Sequence, residues 1–508
     1  MGQGAYGARP CYSFGMRSST LLTAACMVAC LLPTACQSNG RNPDPDGIIL
    51  PPAGSDDGSG SSSDDGSDDE FDDRLDVGSS MPVDPSCPSG DCAAKIDILV
   101  VVDNSGTMGE EQRNMARNFP GLIERLEGLT DGDGNEVNPD VQIMVTTTDF
   151  GNPLCTPFEP EGYTPARGAP TVTPCTSRLA DFTDLNGETS IPEACEDSCP
   201  VPVAPIGAFI AFGPGGHNVP GAVPTDFDGD GDLDSPAAQA LSCLGPQGIN
   251  GCGFESPLEN MVQALNPSAA WNVGPEGANP TPFLRDDAML AVVIVTDEAD
   301  CSVNDWTLME NEAYQNENPV TGLPGPTSAI CWNAGVSCTE NNGIYDCESS
   351  TDNGMHPVSR YTAVLDGLRA TGKEVIMLGI LGVPEVLAHN SEPPYEPTVG
   401  GAADLTYRDW IDGEYPIAGD ILPDEWDAGV TADDKTYAFG MGPGCTGQTE
   451  GGEFTGQAIP PVRIKEVCES LNGEDGIRCC IESICDDDFS PAIECLTGLI
   501  SATVPTQG

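Results

Sequence analysis

Basic residues are scarce in this chain. Lys and Arg together number 19 against 80 Asp and Glu in 508 residues, a formal net charge of −61. That imbalance argues against nucleic acid or anionic lipid surfaces as partners drawn in by long-range attraction. Histidine is scarcer still, with three residues, His217, His356 and His389, which are read as surface side chains at or near irregular segments. His-Glu-x-x-His, Gly-x-Ser-x-Gly and a phosphate-binding glycine loop are all missing, so hydrolase and nucleotide chemistry have no signature here. The apolar run near the N-terminus, Leu21 to Leu32, falls short of the roughly 18 residues that span a bilayer.

Cysteine, by contrast, is plentiful. Of 22 cysteines, Cys11, Cys26 and Cys30 lie in or before the N-terminal apolar segment and Cys36 just after it, which leaves 18, an even count. In an exported chain such a count predicts disulfides. Zinc clusters need paired cysteines at short spacing with a second pair or histidines nearby, and only Cys195/Cys199 comes close. Cys243 and Cys252 are near enough in sequence to pair, whereas the neighbours Cys479 and Cys480 are expected to bond outward.

Met16-Arg17, the apolar run and Pro33-Thr34-Ala35-Cys36 resemble a bacterial lipoprotein signal, with residues 1–36 as signal and Cys36 as the acylated first residue of the mature chain. Cys30 is a competing lipidation site, and Pro33 departs from the aliphatic residue usual three places before the cysteine. Residues 37–90 predict an unfolded acidic tether, with ten carboxylates between Asp56 and Asp76 that repel one another and too little apolar surface to fold.

From about residue 92 the pattern becomes that of an α/β domain. Ile96–Val102, Val141–Thr147, Ala291–Val295 and Glu374–Leu381 are short runs rich in aliphatic and β-branched residues, as expected of buried strands in a mostly parallel, doubly wound sheet. A further strand near 205–212 is placed at the sheet edge, where its proline is tolerated, and a last one near 477–484. Met115, Phe119, Leu122, Ile123 and Leu126 form one helical stripe interrupted at Pro120-Gly121, and Leu258, Met261, Val262 and Leu265 form another, with Ser256 as its cap. Further helices are expected over 358–368, 462–471 and from Ser490. Three long irregular segments, about 150–240, 302–356 and 382–456, read as insertions. The third carries Trp410 and Trp426, either local core or a recognition patch.

The chemistry gathers at the end of the first strand, in Asp103-Asn104-Ser105-Gly106-Thr107. A carboxylate and two hydroxyls on adjacent turns of backbone are hard oxygen donors suited to Mg²⁺ or Ca²⁺ rather than zinc, and open α/β sheets place ligands at strand carboxyl ends. With a second strand-to-carboxylate element ending in Thr296-Asp297, the pattern resembles the metal-ion-dependent adhesion site of von Willebrand factor A-type domains, and the chain as a whole resembles A-type-domain lipoproteins of myxobacteria and related bacteria. The resemblance implies that Ser105 and Thr107 ligate a divalent cation directly, that Asp103 and Asp297 do so directly or through water, and that an open coordination position takes a partner's carboxylate. The family's third-loop threonine has no match; Glu255 or Ser256 stands in its place. Separately, Asp226, Asp228, Asp230, Asp232 and Asp234, with Gly231 at the turn, resemble the first nine positions of an EF-hand loop and predict a structural Ca²⁺, although Ala237 holds the place of the bidentate glutamate. A shorter acidic turn spans Asp131 to Asn135.

The expectation is therefore a single A-type domain over 92–502. It is exported, lipid-anchored at an outer membrane or cell surface, touches the membrane only through its lipid, and binds a protein ligand through an acidic residue rather than catalysing a reaction. A calcium-stabilised envelope protein without a specific ligand is the alternative, and a metal-dependent hydrolase ranks behind both.

Overall fold

The computed structural model describes residues 94–504 apart from 132–133, 161, 186, 188, 228, 230, 274–280, 343, 351–352, 418 and 450. The expected signal, its Cys36 and the expected acidic tether lie outside the described residues. At the centre is a seven-stranded sheet. Its strands are β1 (Lys95–Val102), β2 (Asp140–Thr147), β3 (Ile210–Gly213), β4 (Gly216–His217), β5 (Met289–Val295), β6 (Val375–Leu381) and β7 (Cys479–Ser483). They run in the order β7-β6-β5-β1-β2-β3-β4. The first five in that order are parallel, while β3 and β4 are added antiparallel at one edge.

Side chains of β1, β5 and β6 are buried on both faces, which is why these strands read as continuous apolar runs rather than alternating ones. On one face pack α1 (Gly109–Asn118), α2 (Pro120–Glu127), α3 (Pro236–Leu244) and, at the chain's end, α8 (Ser490–Thr503), whose apolar stripes share a core with Ile96, Ile98, Val100 and Val102. The opposite face is covered by α4 (Pro257–Ala264), α5 (Val358–Ala370) and α7 (Val462–Glu469). A further helix, α6 (Ala432–Phe439), lies in the third insertion. The break at Pro120 is real: one helix ends at Asn118 and the next begins at the proline, which needs no N–H there.

Eight disulfides join sixteen of the described cysteines. Cys479 and Cys480 bond outward as expected, to Cys468 and Cys495. Cys243 and Cys252 do not pair with each other. α3 ends within the connection between them, so Cys243 on that helix meets Cys199 and Cys252 meets Cys155 from the first insertion. Cys195, the nearest approach to a zinc pair, is bonded to Cys175. Among the described residues no helix is long and apolar enough to cross a membrane.

At the amino end of the sheet one buried arginine clamps two strands. Arg285 Nε donates to Asp97 Oδ1 at 2.7 Å and its backbone N–H to Oδ2 at 2.8 Å, while Nη2 reaches Ile96 O and Asp140 O at 3.0 and 2.9 Å. Burial nevertheless raises Asp97 to about 6, outweighing the pull of the guanidinium. Arg285→Ala leaves the buried Asp97 carboxylate without its guanidinium and is expected to cost about 3–5 kcal/mol; urea unfolding against the wild type measures it.

Candidate functional site

β1 stops at Asp103, whose backbone N–H still donates to Val295 O at 2.9 Å, so the carboxylate is positioned by the ladder to β5. Ser105 N donates to Asp103 Oδ1 at 2.8 Å and Thr296 Oγ1 donates to Oδ2. Ser105 Oγ and Thr107 Oγ1 lie 3.1 Å apart. Gln112 of α1 braces the turn from behind: Nε2 donates to Asp103 O at 2.7 Å, and Oε1 accepts from Gln247 N at 2.9 Å. Asp103 and Ser105 are buried and Thr107 is exposed, so the turn runs from the interior to the surface.

The residues singled out from the sequence around Asp103 do come together. Asp297 lies beyond the end of β5, buried, with its carbonyl held by Ile459 N at 2.8 Å. Burial and then the Asp103 charge push its carboxyl well above the usual range, and the Thr107 hydroxyl offsets only part of this. Glu255 is fully buried in the loop before α4, its carbonyl taken by Cys301 N at 2.6 Å. Ser256 instead donates its hydroxyl to Cys301 O at 2.8 Å and makes no cap bond to the helix. The cap comes from the loop after Asp297, where Asp300 Oδ1 accepts from Leu258 N and Ser302 Oγ from Glu259 N. Of the two candidates for the third-loop ligand, only Glu255 is free of such a bond.

Glu111 had no signal as a separate motif, yet it belongs here. It sits one turn before Met115 on the buried stripe of α1, a carboxylate at a core position, and is 1% exposed. Burial raises its pKa well above the carboxylate range, with Asp297 the leading neighbouring charge. Asp149, at the end of β2, is also buried, but Gly151 N, Tyr163 Oη and Cys252 N all donate to it.

Among the described residues, none of Asp103, Glu111, Glu255, Asp297 and Glu298 forms an ion pair with a lysine or arginine. Burial holds Asp103 at about 6. It holds Glu255 and Glu298 well above the ordinary range, with Asp103 and Asp297 respectively the leading neighbouring charges. Asp297 Oδ1, both carboxylate oxygens of Glu255, Glu111 Oε2 and Thr148 Oγ1 are buried with no hydrogen-bond partner. Thr148 lies close enough to pull Glu255 downward against its burial but not within hydrogen-bonding geometry. Burying carboxylate oxygens unpaired is costly unless they are protonated or meet a cation. Among the described residues no three His, Cys, Asp or Glu side chains converge as a metal-holding group by themselves. A cation here therefore has to draw on the hydroxyls of Ser105 and Thr107 as well as on Asp103, Asp297 and Glu255, and the orphaned oxygens fit one.

The second predicted site is only partly visible. Backbone bonds between Thr225 and Asp234 close the loop, and Asp234, buried, accepts from Phe227 N at 2.9 Å. Asp226 and Asp232 are exposed, and Asp228 and Asp230 lie outside the described residues. In the weaker acidic turn, Asp131 takes both the backbone and side-chain N–H of Asn135. Two of the histidines are not simple surface residues. His356 is half-buried near Glu259, where burial lowers its pKa, and His389 Nε2 lies 3.2 Å from each carboxylate oxygen of Glu482. Only His217, on β4, is exposed.

Over Thr107 and Asp297 opens a cleft of about 520 Å³. Its floor holds Gly106, Thr107, Glu110, Asp297 and Glu298, and its far wall comes from the third insertion. Neither a protein-family model nor a curated protein sequence matches the chain.

The raised carboxyls fix the sign of a pH effect. Groups whose pKa is higher in the folded state favour folding below the ordinary carboxylate range, and that contribution is lost as pH rises through about 6 and beyond. In chelator the melting temperature is expected to fall between pH 5 and pH 8. A divalent cation restores several degrees at pH 8 and little at pH 5, where the carboxyls carry protons. Glu255→Gln raises the pH 8 value in chelator and shrinks the cation's effect. Thermal scans across pH measure all three, and a cation effect unchanged in Glu255→Gln contradicts this assignment.

Proposed function

We propose that this chain is a von Willebrand factor A-type protein, exported and anchored through Cys36, that captures a carboxylate of a protein partner at a cation held by Ser105, Thr107, Asp103 and Asp297. The supporting observation is the set of buried, unpaired carboxylate oxygens gathered where β1 and β5 end, beside two hydroxyls 3.1 Å apart, one of them exposed. A bound Mg²⁺ or Ca²⁺ supplies positive charge at the floor of the cleft and a coordination position for an incoming oxygen. The protein's part is to hold its ligands still. Asp103 is tied by two donors and Gln112, Asp297 by Ile459, and the loop after Asp297 by Arg463, whose Nε bonds Asp300 Oδ2 at 2.9 Å in full burial. Glu255 adds a third carboxylate and shifts the preference toward Ca²⁺, the ion that tolerates more anionic oxygen ligands.

The loop Asp226 to Asp234 is proposed as a separate structural calcium site, and calcium stiffening without a ligand is the competing role. Asp103→Ala distinguishes them. Calorimetry is expected to show loss of one cation per chain, and surface pull-downs in Mg²⁺ or Ca²⁺ to lose partner capture at least about tenfold, the same loss that chelator produces. Capture that persists in Asp103→Ala, with chelation lowering only the melting temperature, supports the structural role. Metal-dependent turnover lost with Asp103 supports an enzyme.

A further inference from the structure

The wall facing the acidic floor is aromatic. Trp426 stacks on Phe454 with ring centroids 4.5 Å apart and planes at 15°, and both rings are half-buried in the lining of the cleft. Trp410 is different: at 4% exposure it belongs to the local core with Trp332 and Met441. Both tryptophans of this insertion border the cleft, but Trp410 does so from the local core while Trp426 is the more open of the two.

The one ammonium in the wall is already engaged. Lys435 is buried, donates to Gln457 Oε1 at 2.6 Å, and lies over the rings of Trp410 and Phe439 at 5.9 and 5.5 Å. Asp434 is engaged too, accepting from Thr431 N and Oγ1 as part of a helix cap. What remains toward solvent is Glu110 and Asp427, two exposed carboxylates that repel additional negative charge. An acidic ligand therefore finds one place for a carboxylate, the cation on the floor, and its next group cannot be a second anion. The surface offered to that group is the Trp426–Phe454 pair, which favours an offset or edge-on third ring.

We propose that the cleft recognises a peptide segment in which a single Asp or Glu adjoins an aromatic residue, with the carboxylate directed to the floor and the ring to Trp426 and Phe454. This rests on the cation-dependent reading of the floor, and the test separates the two. The full chain is titrated by calorimetry with the end-blocked peptides acetyl-Gly-Asp-Phe-Gly-amide, acetyl-Gly-Asp-Gly-Gly-amide and acetyl-Gly-Asn-Phe-Gly-amide, in Mg²⁺ or Ca²⁺ and in chelator. The Asp-Phe peptide is expected to bind about tenfold more tightly than the Asp-Gly peptide, and the Asn-Phe peptide and all chelator arms to show no binding. Trp426→Ala removes the Asp-Phe advantage and leaves the Asp-Gly affinity in place; Trp426→Phe, which keeps a ring, retains most of the advantage and serves if the alanine variant does not fold. Cation-dependent binding of Asp-Gly and Asp-Phe with equal affinity overturns the aromatic subsite and leaves the floor's role standing. Binding of neither peptide by protein that takes up the cation overturns the subsite and carboxylate capture together. Failure to take up the cation overturns the reading of the floor itself.

Discussion

The constraint on which this architecture turns is the concentration of carboxylates with too little water at one end of a parallel sheet. Asp103, Glu111, Glu255, Asp297 and Glu298 are all buried there, and burial alone drives each toward its protonated form before mutual repulsion adds to the effect. A fold does not hold such a cluster cheaply. The surrounding structure compensates by removing freedom: the ladder fixes Asp103, Gln112 bridges α1 to the loop before Ile249, and Asp300 locks onto Arg463 while capping α4.

The same rigidity explains where the disulfides lie. Cys155–Cys252 joins the segment after β2 to the loop that carries Glu255, and Cys301–Cys331 closes the chain just past Asp297. Cys445–Cys485 ties the hairpin behind Phe454 to the turn after β7. Each staple restrains a long loop against the sheet or a neighbouring loop, so the cost of ordering these segments falls on folding.

How much of this was legible depended on whether the signal was local. The runs Ile96–Val102 and Ala291–Val295 announced buried parallel strands because only β-branched and aliphatic side chains suit a sheet covered on both faces. The stripe Met115–Leu126 announced a helix and its break at Pro120. Asp103, Ser105 and Asp297 were visible because they follow directly on those strands. Glu111 was not, since an acidic residue in a first helical turn ordinarily complements the helix dipole and only its phase with Met115 marks it as inward. Cys243 and Cys252 misled for the opposite reason: closeness in sequence suggested a pairing that the direction of α3 forbids. Ser256 looked like a cap because Pro257 follows it, but a tertiary neighbour, Asp300, had already met the helix. Nothing local betrays such a long-range substitution.

The position of β1 has a mechanical consequence. It is paired along its length on both sides, eight residues against β2 and seven against β5. A force applied at Lys95 acts on its amino end, and one applied at Asp103 acts on its carboxyl end. Tension between the two runs along the covalent backbone of an already extended strand, so neither ladder has to open for the load to be carried. The chain's path through the middle of the sheet thus lets Asp103 be loaded from the opposite end of its own strand without unzipping either neighbour.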